Sequence, residues 1–275
     1  MTLPRPRRTL PRMLPLSGDR FPTTRTELTE ALAAGASAHA LQASVSATGE
    51  RWPELDSLAI DLTGSHFTRE LRLPVATAPA EGELLVQRLT LSASPMEFEQ
   101  VPLRFALRGE QVALGFARSA NVGPLLSFAR AQRGEVEAEV QRADLEALLL
   151  RLASDAASAQ GVQVKKTALT LTARDPRTLA FRAEVTAKMF IMSAAVTLAG
   201  ELAIDDQFAA RLSQLRVSGE GMIGTMVNGL ARAHLEKWEG RAFPLLALPL
   251  GGLKLRAITI AGGDSLRVRA EFGEE

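Results

Sequence analysis

Side chains able to do acid–base or nucleophilic chemistry near neutral pH are scarce in this chain. Its 275 residues include three histidines, His39, His66 and His234, and neither cysteine nor tyrosine. Without cysteine there is no disulfide, no thiolate nucleophile and no Cys-based zinc site. The histidines lie far apart, and none has a second histidine or a carboxylate at a metal-motif spacing such as H-x-x-x-H. Ser218 follows Val217, so this segment is not the G-x-S-x-G turn that presents a hydrolase nucleophile. Gly219, Gly221 and Gly224 do match G-x-G-x-x-G between a strand pattern and a helix pattern. A dinucleotide site also needs a βαβ unit and an acidic residue at the tip of a second strand, about 20 residues on. Glu239 has that spacing but ends the helix pattern. Glu220 places negative charge where an anion would meet the helix N-terminus. The expectation is therefore no catalytic residue, no metal, no cofactor and no enzyme.

Apolar patterning is richer. Residues 220–239 read as a helix with a stripe of Met222, Ile223, Met226, Val227, Leu230, His234 and Trp238. Methionine has three rotatable bonds and a polarizable sulfur, so it repacks around differently shaped apolar partners. Interior glycines such as Gly224 and Gly229 cost about 1 kcal/mol each relative to alanine. They suit a helix that moves or admits another backbone. Met189, Phe190 and Met192 belong to a strand apolar on both faces, which must be covered on both sides. Leu145, Leu148, Leu149 and Leu152 repeat at i, i+3, i+4 and i+7, a helix with one apolar face. The leucines of this helix, the two-faced strand and Met222, Ile223, Met226, Val227 and Leu230 form a candidate groove lining. The bland alternative assigns them all to an ordinary core.

Hydrophobic residues make up 46% of the chain, ample for a sizeable core at this length. There are 32 basic against 31 acidic residues, so net charge gives no reason to expect nucleic acid. Residues 1–22 carry Pro4, Pro6, Pro11, Pro15 and Pro22 with Arg5, Arg7, Arg8 and Arg12. They read as a disordered basic tail ahead of a single domain over 23–275. Each basic residue near an anionic lipid surface would contribute about 1 kcal/mol. No apolar run is long enough for a secretory signal or for the ~20 residues of a membrane span. The expected location is the cytoplasm or the inner face of a membrane.

The elements that must position these residues follow from periodicity. Residues 24–42 suggest a helix capped by Thr24 or Thr26. Leu58, Ile60 and Leu62 alternate, and the strand through Leu84, Val86, Leu89 and Leu91 slips phase at Gln87-Arg88, as a bulge would. Leu103–Leu107 and Val112–Phe116 flank Gly109-Glu110 and suggest a hairpin. Val136 and Val140 alternate with Glu135, Glu137 and Glu139. Asp144 opens the second helix, and turns at Asp175-Pro176-Arg177 and Asp205-Asp206-Gln207 divide a meander. Lys165, Lys166, Arg267 and Arg269 stand on strand surfaces, solvated or facing lipid headgroups. A terminal hairpin turns at Gly262-Gly263-Asp264. Short turns between strands predict an antiparallel sheet and an α+β fold with three helices.

Several stretches together resemble the LmeA-like phospholipid-binding family of the tubular lipid-binding (TULIP) superfamily. They are VQRADLEALLLRLA at 140–153, TALTLTARDPRTLAFRAEVTA at 167–187, LRVSGEGMIGTMVNGL at 215–230 and FPLLALPLGGLKLRAITIAGGDSLRVRA at 243–270. The resemblance covers roughly half the chain and contains no chemical signature. It implies a long curled antiparallel sheet wrapped around the three helices and an elongated apolar groove between them that accepts acyl chains, with a lipid or other apolar small molecule as partner and transient contact with a membrane surface. The alternative is a structural or protein-interaction module whose core is filled by its own side chains. Nothing in the sequence sets the oligomeric state.

Overall fold

The computed structural model describes residues 14–67, 80–98, 100–119, 123–158, 163–189, 192–219, 239–240, 242–244 and 254–274. Strand takes 66% of them and helix 14%, so the fold is mostly β and not the expected sheet around three helices. The order is β1 (Leu14–Pro15), α1 (Arg25–Ala38), β2 (Ser44–Thr48), β3 (Glu54–Asp61), β4 (His66–Phe67), β5 (Gly82–Phe98), β6 (Val101–Ser119) and β7 (Gly123–Gln141). It continues with α2 (Arg142–Ser158), β8 (Gln163–Asp175), β9 (Thr178–Met189), β10 (Met192–Ile204), β11 (Ala209–Gly219), β12 (Ala242–Pro244), β13 (Leu255–Ala261) and β14 (Ser265–Gly273). The first sheet has the order β13-β14-β7-β6-β5-β3-β2, with β1 beside β7 and β4 beside β5. Both β3 and β4 run parallel to β5, so this sheet is mixed where an antiparallel one was expected. The second sheet, β12-β11-β10-β9-β8, is an antiparallel meander.

Local chemistry explains most boundaries. Thr24 is extended at φ −137° and its side chain accepts from the Glu27 amide, while the Glu27 carboxylate accepts from Thr23. This reciprocal cap starts α1. The helix ends earlier than expected, because Ala40 adopts φ +58°. Gly35 is required there, since a Cβ would overlap the Pro15 carbonyl oxygen where β1 crosses the helix. In the meander, Asp175 accepts from the Arg177 amide, and Asp205 accepts from those of Gln207 and Ala209. Both turns lie where the sequence puts them.

The expected hairpin at Gly109 is instead one unbroken 19-residue strand, β6. Gly109 pairs with Leu89 on one side and Gly134 on the other. The ring of Phe272 occupies the space a Gly134 side chain would need, and a Cβ on Gly109 would come 2.7 Å from Val112. Glycine serves packing at this point, not chain reversal. Two residues on, Gln111 takes φ +47°. Gln87 and Arg88 of β5 are both exposed, and so are Glu110 and Gln111 of β6, but the pairing register runs through them unshifted; the irregularity between β5 and β6 lies at Ala93–Met96 and not at the expected bulge. Gln132, half-buried, and Arg133, exposed, continue the line on β7.

The main apolar core runs through both sheets. Leu28 and Leu32 of α1 join Leu58, Leu84, Val86 and Leu107 of the first sheet, and Leu169, Leu171 and Leu179 of the second. The sheets meet where the Ile260 amide donates to Pro176 at 2.7 Å and where Gly262 leaves room for Leu171 and Leu179. On the outer face of the first sheet, acids of β7 sit between bases of β6 and β14. Arg108 bonds Glu135 at 2.9 Å, and Arg267 reaches Glu137 at 3.2 Å and Glu139 at 2.9 Å. Hydrogen bonding from Arg108, with Arg269 alongside, holds the Glu135 carboxyl below its ordinary value of 4.5. Ser265 and then Arg267 do the same for Glu139.

Two outcomes follow. Gly134→Ala forces a Cβ against Phe272 and the Arg108 carbonyl, and should lower unfolding free energy by about 1–3 kcal/mol in urea titration. A carboxyl held below 4.5 contributes stability that is complete above that pH and is lost as pH falls through its folded-state value. Glu135→Gln should therefore flatten the dependence of melting temperature on pH below 4.5, leaving its shape at pH 7 unchanged.

A candidate apolar binding cavity

The site arises from a mismatch of lengths. At 14 residues, α1 spans about 21 Å. The 19-residue strands β6 and β7 each span about 60 Å. The helix therefore covers only the upper part of the inner sheet face, where Phe21 also stacks on Phe116 at 5.4 Å. Below its C-terminal end lies a cavity of about 230 Å³.

Each neighbouring element contributes apolar side chains. Leu32 and Ala36 of α1 form the roof, with Leu41 and Ala43 of the following link. Leu14 and Pro15 of β1 close one side. Ile60 of β3 and Leu62 form another wall, and Leu91, Phe105, Leu126 and Phe128 of β5 to β7 form the floor. Phe67 of β4 and Met96 of β5 complete the ring. Strand alternation supplies this chemistry, because inward positions of a half-buried sheet are apolar while Arg104 and Glu97 alternate outward. Leu32, Leu41, Ile60, Leu62 and Leu126 are buried in the lining. Phe67, Met96, Phe105 and Phe128 are half-buried and mark the opening.

Beyond the cavity the apolar face continues. Val136, Leu145 and Leu149 are partly buried against the same core. The second helix stands near the far end of the long strands, where the Arg151 guanidinium donates to Gln100 in the β5–β6 turn. Leu148 is half-buried and Leu152 is 53% exposed. None of these four leucines lines the cavity beneath α1. Met189 and Met192 pair across the β9–β10 connection. Phe190, Met222, Ile223, Met226, Val227 and Leu230 lie outside the described residues. The cavity residues come from the first half of the chain. Their signal was the alternation of Leu103, Phe105 and Leu107 beside the Leu28–Leu32 stripe, but the void itself depends on two small residues, Ala36 and Ala43.

The polar groups near the site are already engaged. The Ser65 hydroxyl accepts from the Gln42 amide at 3.0 Å and donates to the Gln42 carbonyl at 2.9 Å. His66 Nδ1 lies 2.8 Å from Glu97 Oε2 on an exposed part of the sheet. Among the described residues no cluster of His, Cys, Asp or Glu could hold a metal ion, and no helix is long and apolar enough to cross a membrane. Arg267 and Arg269, weighed above as headgroup contacts, are bonded to glutamates of β7. Lys165 and Lys166 are exposed on β8.

Filling the void tests its reality. Ala36→Leu adds three carbons to a roof position and should raise unfolding free energy by about 1–2 kcal/mol, read from the denaturation midpoint.

Comparison of the chain with protein-family models, curated proteins and solved structures finds no match in any of the three.

Proposed function

We propose that the protein binds, without chemistry, an apolar molecule of lipid type in the cavity beneath the end of α1. One observation carries this reading: a space of about 230 Å³ whose lining side chains are all apolar. Water is poorly held in such a space, because a buried water needs two to four polar partners. A ligand carbon, by contrast, gains about 0.8 kcal/mol for each CH₂ it removes from water. The half-buried Phe67, Met96, Phe105 and Phe128 give it a way in. The resemblance of residues 140–270 to the LmeA-like family points to the same class of ligand. Transfer at a membrane surface is the natural use of such a site.

The competing interaction module, with a closed core, draws on the modest volume, which falls below the roughly 300–1,000 Å³ of ordinary ligand pockets. Native mass spectrometry and organic extraction of the purified protein separate the two, together with uptake of a fluorescent fatty acid. The expected results are a co-purifying apolar molecule, or uptake of the probe that Ala36→Leu weakens about tenfold or more while remaining folded. A protein that is lipid-free in every preparation and takes up no probe overturns the proposal in favour of the module.

A further inference from the structure

We infer that the cavity accepts one hydrocarbon chain, tail first, and selects it by length and not by headgroup. This rests on the ligand-binding reading above. An apolar protein cavity of about 150 Å³ holds benzene, so by proportion 230 Å³ holds roughly nine carbons. That is one chain of moderate length, with no room for a second beside it. Burial fixes the direction. Leu32, Ile60 and Leu126 are buried in the lining, whereas Phe67, Met96 and Phe105 are half-buried. A chain therefore enters past the half-buried side chains and stops against the closed, buried part of the lining.

The headgroup has nothing to meet inside. No side chain of the lining carries a donor or acceptor, so a buried carboxylate or hydroxyl would lose its water hydrogen bonds without replacement. Beside the half-buried side chains, His66 before Phe67 and Glu97 after Met96 are paired with each other, and Arg104 before Phe105 is exposed opposite Glu139 of β7. The head stays in water, and its charge contributes little. Length is then the property the site can measure. Each methylene inside the cavity adds about fourfold in affinity (about 0.8 kcal/mol), and each one beyond the opening adds little.

The test is a binding series of n-alkyl carboxylates and n-alkanols from about six to about fourteen carbons, beside a two-chain phosphatidylcholine, read by displacement of a fluorescent fatty acid. Affinity should climb about fourfold per carbon and level off near nine. Acid and alcohol of equal length should agree within about threefold, and the two-chain lipid should bind no more tightly than a single chain. Leu126→Ala, which removes three carbons from the closed end, should move the plateau outward by about two to three carbons. Leu62→Ala is the second variant if the first fails to fold. Affinity that climbs through about fourteen carbons, tighter binding of the two-chain lipid, or a plateau that neither variant moves overturns the inference and leaves the ligand-binding reading standing. Failure of every member to bind overturns both.

Discussion

An α-helix advances about 1.5 Å per residue and a strand more than twice as far, so a short helix cannot cover a long strand. Much of this molecule depends on that inequality. Three neighbouring strands, β5 to β7, each run 17–19 residues, and 14-residue α1 is laid over one end of their inner face. Leu28 and Leu32 of the helix join the leucines of the sheet in one core. Where the helix stops, apolar side chains of the sheet continue without a partner of matching size. Ala36 and Ala43, the smallest residues at the edge, set how large the remaining space is. Further along the same face, Leu145 and Leu149 of α2 meet the core again.

The opposite face solves a different problem. It is wet, and a sheet this long exposes a large area of backbone and side chain to water. Acidic residues of β7 alternate with Val136 and Val140, and arginines of β6 and β14 stand across from them. Like charges would repel along β7 if those arginines were elsewhere. Cross-strand placement turns a row of acids into a set of mixed pairs, each worth little alone because it is partly solvated. Together they favour the register in which valines point inward and glutamates outward. A one-residue slip would exchange the two sets.

Strand identity could be read from period-two alternation, and the α1 cap from Thr24 and Glu27. The two aspartate turns of the meander likewise announced themselves, since a carboxylate beside free amides favours a turn. The hairpin expected at Gly109 failed for a specific reason. Glycine in a strand marks either reversal or close approach, and the close approach here is set by packing that the local pattern does not carry: Val112 crowds Gly109, and Phe272 fills the space beside its partner Gly134. The antiparallel expectation failed at β3 and β4, because local turn chemistry carries no information about a strand that returns parallel after a long excursion. The cavity was invisible for a related reason: apolar residues of a filled core and of an unfilled one obey the same pattern. The stretch 222–230 with Met222 and Met226 lies outside the described residues.

The break in burial alternation at Gln87-Arg88, Glu110-Gln111 and Gln132-Arg133 bears on how such a chain can change over generations. Where a strand alternates, as at Leu84–Val86 or Leu107–Gly109, gaining or losing one residue would exchange its buried and exposed side chains. Along the line two successive side chains already point away from the core, and Gln111 already adopts a backbone few residues tolerate. The line works as an expansion joint. Insertions and deletions in the long strands should accumulate there, and lineages that lengthen the upper sheet can do so without disturbing the lower.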